Sequence, residues 1–129
     1  MKILIVDDSE LIRQRLVDLI QEFEEIKNVA LAGNAEEAYT SCSEVYPDVI
    51  ILDIHLPGEN GIKILEKIRK KNTIVKIIIL TNFPYPQYRK KCMELGADYF
   101  VDKTNEFSSV SNILKKIYET RSHDYKTLN

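Results

Sequence analysis

The chain has 129 residues, of which 44% are hydrophobic and 29% charged, as is typical of one globular domain with a sizeable core. Its formal net charge of −2 excludes a global attraction to nucleic acid or to an acidic membrane surface. The apolar runs are far shorter than the ~20 residues of a membrane-spanning helix, and the first residues enter a strand-like run without a signal-peptide pattern. We therefore expect a cytoplasmic protein.

Strand-like and helix-like segments alternate along the chain. Five short apolar runs predict strands, at 2–6, 29–32, 49–52, 75–80 and 99–101. Apolar residues at helical spacing follow each strand and predict a helix there. The second of these helices is predicted to cover about 35–45. This order predicts an α/β fold of the (βα)5 type, a doubly wound five-stranded parallel sheet with helices on both faces. We assign 1–120 to this domain and 121–129 to a polar C-terminal tail.

The third predicted strand ends in a carboxylate. Four apolar residues, 49–52, run directly into Asp53, and Pro57 and Gly58 then end the segment. A run of this kind is typical of a strand buried on both faces in a parallel sheet. Asp53 then lies at the carboxyl edge of the sheet, where ligands bind in open α/β folds. We interpret Asp53 as a nucleophile that accepts a phosphoryl group.

Polar residues also follow the other predicted strands, and the fold brings them to the same edge. They are Asp7 and Asp8 after the first strand, Thr81 after the fourth and Lys103 after the fifth. Three neighbouring carboxylates repel one another unless they are protonated or bind a cation, and Mg²⁺ suits oxygen ligands. A carboxylate nucleophile beside such an ion, with Lys103 to neutralise phosphoryl charge and Thr81 to donate a hydrogen bond, favours aspartyl-phosphate chemistry. Hydrolytic triads are poorly supported, because no His, Cys or Ser at these junctions has a suitably spaced base.

These motifs together resemble the receiver domain of two-component response regulators, and the chain is similar to the stand-alone chemotaxis type over about 2–120. The resemblance rests on Asp7-Asp8, on Asp53 with the following His-Leu-Pro-Gly-Glu-Asn-Gly (55–61), on Thr81 and on Lys103. It implies the flavodoxin-like (receiver) fold. It also implies a phosphorylation switch that turns over no external substrate and only slowly loses its own phosphoryl group.

The resemblance further implies a metal site. Asp8 and Asp53 would bind Mg²⁺ directly, the backbone carbonyl of His55 would be a third ligand, and Asp7 would bind through water. Asp53 would accept its phosphoryl group from a phosphohistidine on a sensor histidine kinase or a histidine phosphotransfer protein. A side-chain role for His55 as a metal ligand is disfavoured, since Mg²⁺ prefers oxygen.

A switch follows from the same resemblance. Thr81 and Lys103 would engage the attached phosphate, and Phe100 would be the switch aromatic that turns inward as Thr81 moves. The face of the fourth helix, fifth strand and fifth helix would then bind a downstream protein, with homodimerisation on phosphorylation left open. We expect no direct binding of nucleic acid or membrane. Tyr85 and Tyr88 either pack under their own helix or add to a docking surface.

Two positions depart from the family pattern. Lys103 is followed by Thr104, where the family has a proline in a cis peptide, and a cis bond before threonine would cost about 3–4 kcal/mol. Either this bond is trans and the loop differs, or strain is retained there. Thr81 is followed by Asn82, where the family often has a smaller residue. We expect this bulkier side chain to narrow the access to the phosphoryl group and to slow transfer from small phosphoryl donors.

Three rival interpretations remain open at the level of sequence. The chain could be the receiver fragment of a DNA-binding regulator or hybrid kinase, or a degenerate receiver that acts as a scaffold. A phosphatase of the haloacid-dehalogenase type is disfavoured, because such enzymes have a second Asp two residues after the nucleophile, where this chain has His55. We favour a stand-alone receiver.

Overall fold

The residues that the structure describes form one five-stranded parallel sheet flanked by five helices. The computed structural model describes residues 1–26 and 28–128, with side chains described as far as residue 121. The elements are β1 (Lys2–Val6), α1 (Glu10–Ile20), β2 (Asn28–Ala32), α2 (Ala35–Val45), β3 (Val49–Leu52), α3 (Gly61–Lys71), β4 (Lys76–Thr81), α4 (Pro86–Glu94), β5 (Tyr99–Asp102) and α5 (Ser109–Leu128). The strand order β2-β1-β3-β4-β5 is that of the flavodoxin-like doubly wound fold, so the predicted fold class is confirmed.

Most predicted elements occur where the sequence pattern indicates them. The largest difference concerns the segment 121–129, which the sequence predicts as a polar tail. Helix α5 continues to Leu128, so the backbone of 121–128 is helical, and residue 129 lies outside the described residues. The segment contains neither Gly nor Pro to end the helix. The end of the last helix therefore does not coincide with the predicted boundary at residue 120.

The sheet is buried on both faces. In β1, Leu4 and Val6 belong to one hydrophobic cluster, whereas Ile3 and Ile5 belong to the other. The first cluster is covered by α2, α3 and α4, and the second by α1 and α5. Strands that alternate between two buried faces read as continuous apolar runs, which explains the pattern of the sequence. Within the described part of the chain, no helix combines the length and apolar character needed to cross a membrane.

Polar caps start the first three helices directly beyond the carboxyl edge of the sheet. Ser9 Oγ accepts from the backbone N–H of Ile12 at 3.2 Å, and Asn34 Oδ1 accepts from that of Glu37 at 2.9 Å. Asn60 Oδ1 accepts from the Ile62 N–H at 2.8 Å and caps α3 in the same way. These bonds satisfy backbone donors that would otherwise lack partners at the helix N-termini. The loops that leave β1, β2 and β3 are therefore fixed close to the sheet.

Candidate functional site

Three carboxylates converge at the carboxyl edge of the sheet. Val6 pairs with Leu52 in the parallel register of β1 and β3, so Asp7 and Asp53 leave neighbouring strands side by side. Each of Asp7, Asp8 and Asp53 offers a carboxylate oxygen within 4.8 Å of the other two. Asp7 and Asp53 are buried, whereas Asp8 is exposed. The structure thus brings together the carboxylates that the sequence places far apart.

Lys103 reaches into this cluster from the end of β5. Its Nζ donates to Asp7 Oδ2 at 2.7 Å and to Asp53 Oδ2 at 3.0 Å, and the residue is only 6% exposed. No cis peptide bond occurs among the described residues, so the Lys103–Thr104 bond is trans. Of the two alternatives left open by the sequence, the trans bond is the one observed. The loop still directs the ammonium to the carboxylates.

Burial and the neighbouring charges both shift the pKa values of Asp53 and Lys103. Burial raises the pKa of Asp53, and the His55 N–H and the Lys103 ammonium offset this only in part, while the charge of Asp7 raises it further. Burial alone would lower the pKa of Lys103, but its hydrogen bond with Asp7 and the charges of Asp53 and Asp7 outweigh burial and raise it. The ammonium therefore stays charged, and one buried cation faces two buried carboxylates.

Asp53 is oriented by the loop that follows it. Its Oδ1 accepts from the backbone N–H of His55 at 3.0 Å, which leaves Oδ2 directed at Lys103. The side chain of His55 is exposed, and its ring lies 4.1 Å from the ring of Phe83, centroid to centroid. The imidazole thus packs against Phe83 outside the cluster, and only the backbone N–H of His55 contacts Asp53. The expected role of the His55 carbonyl as an ion ligand stays a prediction.

Thr81 and Phe100 occupy different surroundings. Thr81 is fully buried at the end of β4, and its Oγ1 accepts from the backbone N–H of Phe83 at 2.9 Å. Its carbonyl accepts from the N–H of Lys103 at 2.8 Å and so links the ends of β4 and β5. Phe100 is 7% exposed and packs in the hydrophobic cluster under α4, with the Arg89 guanidinium 5.8 Å from its ring centre. Phe100 is therefore buried in this structure, and its role as the switch aromatic stays a prediction.

Sequence reasoning missed one residue behind the cluster. Arg13, on the second turn of α1, donates from Nη1 to the backbone carbonyl of Asp7 at 2.7 Å. Asp7 Oδ1 also accepts from the Ser9 N–H at 2.8 Å, so the residue is held from two sides. The spacing from the end of a strand into the next helix was a signal for Arg13, but a weak one, because charged residues on a helix face usually meet solvent.

The tyrosines of the β4–α4 region divide between the two roles that the sequence left open. The ring of Tyr85 is 49% exposed and lies 6.2 Å from that of Phe83. Tyr88 is half-buried and packs against the hydrophobic core, 5.7 Å from Tyr85 between ring centres. Tyr88 therefore packs under its own helix, whereas Tyr85 belongs to an exposed aromatic patch beside the cluster.

The donor set of the cluster fits a hard divalent cation. Its ligand atoms are all oxygens, and Lys103, the one ammonium that contacts it in the described part of the chain, leaves an excess of negative charge that a cation would neutralise. Asp8 is exposed and open to solvent, which suits Mg²⁺ because this ion usually keeps several water ligands. Asp7, Asp8 and Asp53 are therefore the residues that could hold such an ion.

Comparison with known proteins places this arrangement in a family. The family model described as "Response regulator receiver domain" matches residues 3–115. The chain is 31% identical over 121 residues to the transcriptional regulatory protein LnrK of Bacillus subtilis (strain 168), an alignment that covers 94% of this chain and 54% of LnrK. The chain therefore spans little more than half the length of that relative.

Solved structures give the same result. The response regulator domain of Thermotoga maritima CheB is 31% identical, with a TM-score of 0.80 and coverage of 92% of this chain and 94% of that one. The CheX–CheY–BeF₃–Mg²⁺ complex of Borrelia burgdorferi aligns at 26% identity and a TM-score of 0.83, over 92% of this chain and 89% of that one. With the matching sheet order and the family match over most of its length, the chain belongs to the response regulator receiver domain family.

Proposed function

We propose that this receiver domain is a phosphorylation-activated switch in which Asp53 accepts a phosphoryl group from a phosphohistidine. The donor is a sensor histidine kinase or a histidine phosphotransfer protein. One observation supports this most strongly: a buried carboxylate lies beside two further carboxylates and is hydrogen-bonded by a buried ammonium at 3.0 Å. That combination supplies a nucleophile and positive charge for the phosphoryl oxygens at one point of the sheet edge.

The transfer is a substitution at phosphorus. An oxygen of the Asp53 carboxylate forms the new P–O bond while the P–N bond of the phosphohistidine breaks, and its electron pair goes to the ring nitrogen. The donor imidazole leaves neutral when its other nitrogen carries a proton. The Lys103 ammonium, which contacts Asp53 Oδ2, stabilises charge on the phosphoryl oxygens, and the product is an aspartyl phosphate.

We assign the ion of this site to Mg²⁺, held by Asp8 and Asp53 directly, by Asp7 through water and by the His55 carbonyl. When bound, Mg²⁺ neutralises charge on the transferred phosphoryl group. The Lys103 ammonium contacts Asp7 and Asp53, so the ammonium and the ion would together neutralise the negative charge of these carboxylates. The chain turns over no external substrate and slowly hydrolyses its own acyl phosphate.

The switch would begin at Thr81. Its hydroxyl now accepts from the N–H of Phe83, and after phosphorylation it would donate to a phosphoryl oxygen instead. Movement of Thr81 would disturb the exposed ring of Phe83 and the packing around Phe100. The face of α4, β5 and α5 is then proposed to bind a downstream protein in the cytoplasm, or a second copy of this chain, without direct contact to nucleic acid or membrane.

Intact mass after incubation with a small phosphoryl donor and Mg²⁺ tests this function. We expect the wild type to gain one phosphoryl group, and the Asp53→Asn variant or a chelator to abolish the gain. The cognate phosphohistidine protein, a sensor kinase or histidine phosphotransfer protein, serves as a second donor. If neither donor phosphorylates the wild type, phosphoryl acceptance is excluded and the scaffold role becomes the better interpretation.

A second candidate is the receiver part of a longer regulator. The observation in its favour is that the chain covers only 54% of LnrK, a transcriptional regulatory protein. In that case the receiver switches an attached domain, and the α4–β5–α5 face contacts that domain. The intact mass of the endogenous protein, purified from its own cells, distinguishes the two: about 15.0 kDa supports the stand-alone receiver, and a larger mass supports the regulator.

A further inference from the structure

The turn between β5 and α5 is built around the carboxylate of Asp102. Its Oδ1 accepts from the backbone N–H of Thr104 at 2.9 Å and from that of Asn105 at 3.3 Å. Its Oδ2 accepts from Asn105 Nδ2 at 2.9 Å. One side chain thus holds the two residues that follow Lys103, in the manner of an Asx turn.

Glu106 closes the same turn from its other end. Its Oε1 accepts from the Asp102 N–H at 3.0 Å, and its own N–H donates to the Asp102 carbonyl at 2.8 Å. The N–H of Lys103, between these contacts, donates to the Thr81 carbonyl at 2.8 Å. The backbone of Lys103 is therefore held to β4 on one side and to the Asp102 turn on the other.

The bond from Thr104 depends on the departure from the family pattern. A proline at this position would have no backbone N–H and could not donate to Asp102. The Thr104 N–H is also the main reason why the pKa of Asp102 is lowered, with further hydrogen bonds from Asn105. The carboxylate is therefore ionised at neutral pH, and charge strengthens the hydrogen bonds it accepts.

We infer that Asp102 is a positioning residue for Lys103, and that its turn holds the Lys103 ammonium between Asp7 and Asp53 in a chain without proline after that lysine. The Asp102 turn fixes the backbone from which this side chain extends, and the Lys103 amine is buried as a result. The relevance to phosphoryl transfer rests on the proposed function. The placement of the ammonium does not, so it can be measured separately.

The test is the rate at which the Lys103 amine reacts with acetic anhydride, followed by peptide mass spectrometry in metal-free buffer. A buried amine reacts only when its surroundings open locally. We expect Asp102→Ala to accelerate modification of Lys103 about tenfold relative to exposed Lys90 in the same sample, because three hydrogen bonds to a charged group are lost. Asp102→Asn retains the oxygen that accepts from two N–H groups but loses the charge and the bond from Asn105 Nδ2, so a smaller increase of about threefold is expected.

Asp48→Ala is the matched control for general destabilisation. Asp48 Oδ2 accepts from the Lys2 N–H at 2.8 Å at the opposite edge of the sheet, so its loss should leave Lys103 protected. An unchanged rate in Asp102→Ala, or an equal increase in Asp48→Ala, would overturn the inference. If Asp102→Ala does not fold, Asp102→Ser takes its place, with an intermediate increase expected and a rate equal to that of Asp102→Asn contradicting the inference.

Phosphorylation of the same variants separates this inference from the proposed function. Slower phosphorylation of Asp102→Ala, partly restored in Asp102→Asn, supports both. Faster acetylation of Lys103 in Asp102→Ala, together with a wild type that neither donor phosphorylates, supports the positioning role and contradicts the proposed function. A phosphorylated wild type with unchanged Lys103 acetylation in Asp102→Ala contradicts the positioning role alone.

Discussion

Among single residues, Lys103 determines whether the carboxylate cluster can stay buried. Its ammonium is the cation that contacts both Asp7 and Asp53, and both carboxylates are almost fully buried. Replacement by methionine keeps much of the length of the side chain but leaves these charges without a partner. Loss of one partner from a buried ionic cluster costs about 3–5 kcal/mol, so we expect Lys103→Met to lower the free energy of unfolding by about 3 kcal/mol in metal-free urea titrations.

Addition of Mg²⁺ should return part of the stability lost in Lys103→Met, because the ion would neutralise the same carboxylates. The control is Lys91→Met, at an exposed position on α4, for which no comparable change is expected. Equal stability of Lys103→Met and wild type without metal would mean that the ammonium contributes nothing net to the fold. If Mg²⁺ changes the free energy of unfolding of neither the wild type nor Lys103→Met, the proposed ion site is contradicted.

Replacement of Asp53 by asparagine should stabilise the metal-free protein, whereas Lys103→Met should destabilise it. Its pKa is raised above the ordinary value of 3.8, so its ionisation costs folding free energy, and this cost appears as the pH rises above 3.8. Asp53→Asn removes that charge, and we expect the metal-free Tm to rise by about 4 °C at pH 7 if about 1 kcal/mol of repulsion and desolvation is relieved. The difference should disappear as the pH falls into the acid range, because wild-type Asp53 then becomes protonated. Scanning calorimetry from pH 3 to pH 7, with exposed Asp18→Asn as the control, checks this; a lower Tm in Asp53→Asn would contradict it.

At the scale of elements, the strands and most helices could be predicted because their signals are local. The run 49–52 is apolar throughout, and apolar residues at helical spacing follow each strand. The sequence also placed the polar junction residues at one edge, since parallel strands end together. It could not give the direction of the Lys103 side chain, because that depends on the hydrogen bonds of a loop whose partners are known only once the loop is folded.

Two further features could not be predicted from the sequence, for related physical reasons. The ring of His55 packs at a tilt against that of Phe83, a contact between the loops after two different strands, and no periodicity in the sequence indicates such a pair. Helix α5 extends to Leu128, beyond the end that its polar composition predicts. A helix can continue with polar residues when nothing ends it, so composition alone is a poor guide to where a terminal helix stops.

The junction of β3 and α3 offers a test of how closely an element must approach the site. Gly61, the first residue of α3, lies against the backbone that follows Asp53: an added Cβ would come within 2.4 Å of the Asp53 carbonyl oxygen and of the Ile54 Cα. Neither is the end of a flexible side chain, so the loop itself would have to move. We expect Gly61→Ala to lower the free energy of unfolding by about 2 kcal/mol, as overpacking does, and to slow phosphorylation because Asp53 is displaced.

Gly33→Ala is the matched control for Gly61→Ala. A Cβ at Gly33 would meet only the ends of two flexible side chains, Arg13 Nη1 at 3.2 Å and Glu37 Oε1 at 3.4 Å. Each has to give by only a few tenths of an ångström, a movement small enough to keep the hydrogen bonds of Arg13 to the Asp7 carbonyl and of Glu37 to the Gly33 N–H, so little loss of stability is expected. Urea unfolding and intact-mass phosphorylation measure the two quantities for both variants. A Gly61→Ala protein with wild-type stability and phosphorylation would show that the α3 start can retreat without moving Asp53.

At the scale of the whole molecule, the carboxyl edge and the amino edge of the sheet differ in the side chains they contain. The carboxyl edge contains the carboxylates and Lys103, whereas the amino edge is held by Arg69. From α3 this guanidinium donates to the Gly96 carbonyl at 2.8 Å and to the Val75 carbonyl at 2.7 Å, and it pairs with Asp98 at 3.1 Å. Because these partners lie at the far ends of β4 and β5, the Arg69 network should contribute to stability without influencing chemistry.

We therefore expect Arg69→Met to lower the free energy of unfolding by about 3 kcal/mol, since several partly buried acceptors lose their donor at once. Phosphorylation measured by intact mass on the folded protein should keep its wild-type rate. Exposed Lys70, which pairs with Glu66 only at 3.5 Å, provides the control Lys70→Met, with no change expected in either quantity. Slower phosphorylation of fully folded Arg69→Met would instead mean that β4 and β5 transmit strain from one edge to the other. The sheet would then be part of the switch rather than a rigid support for it.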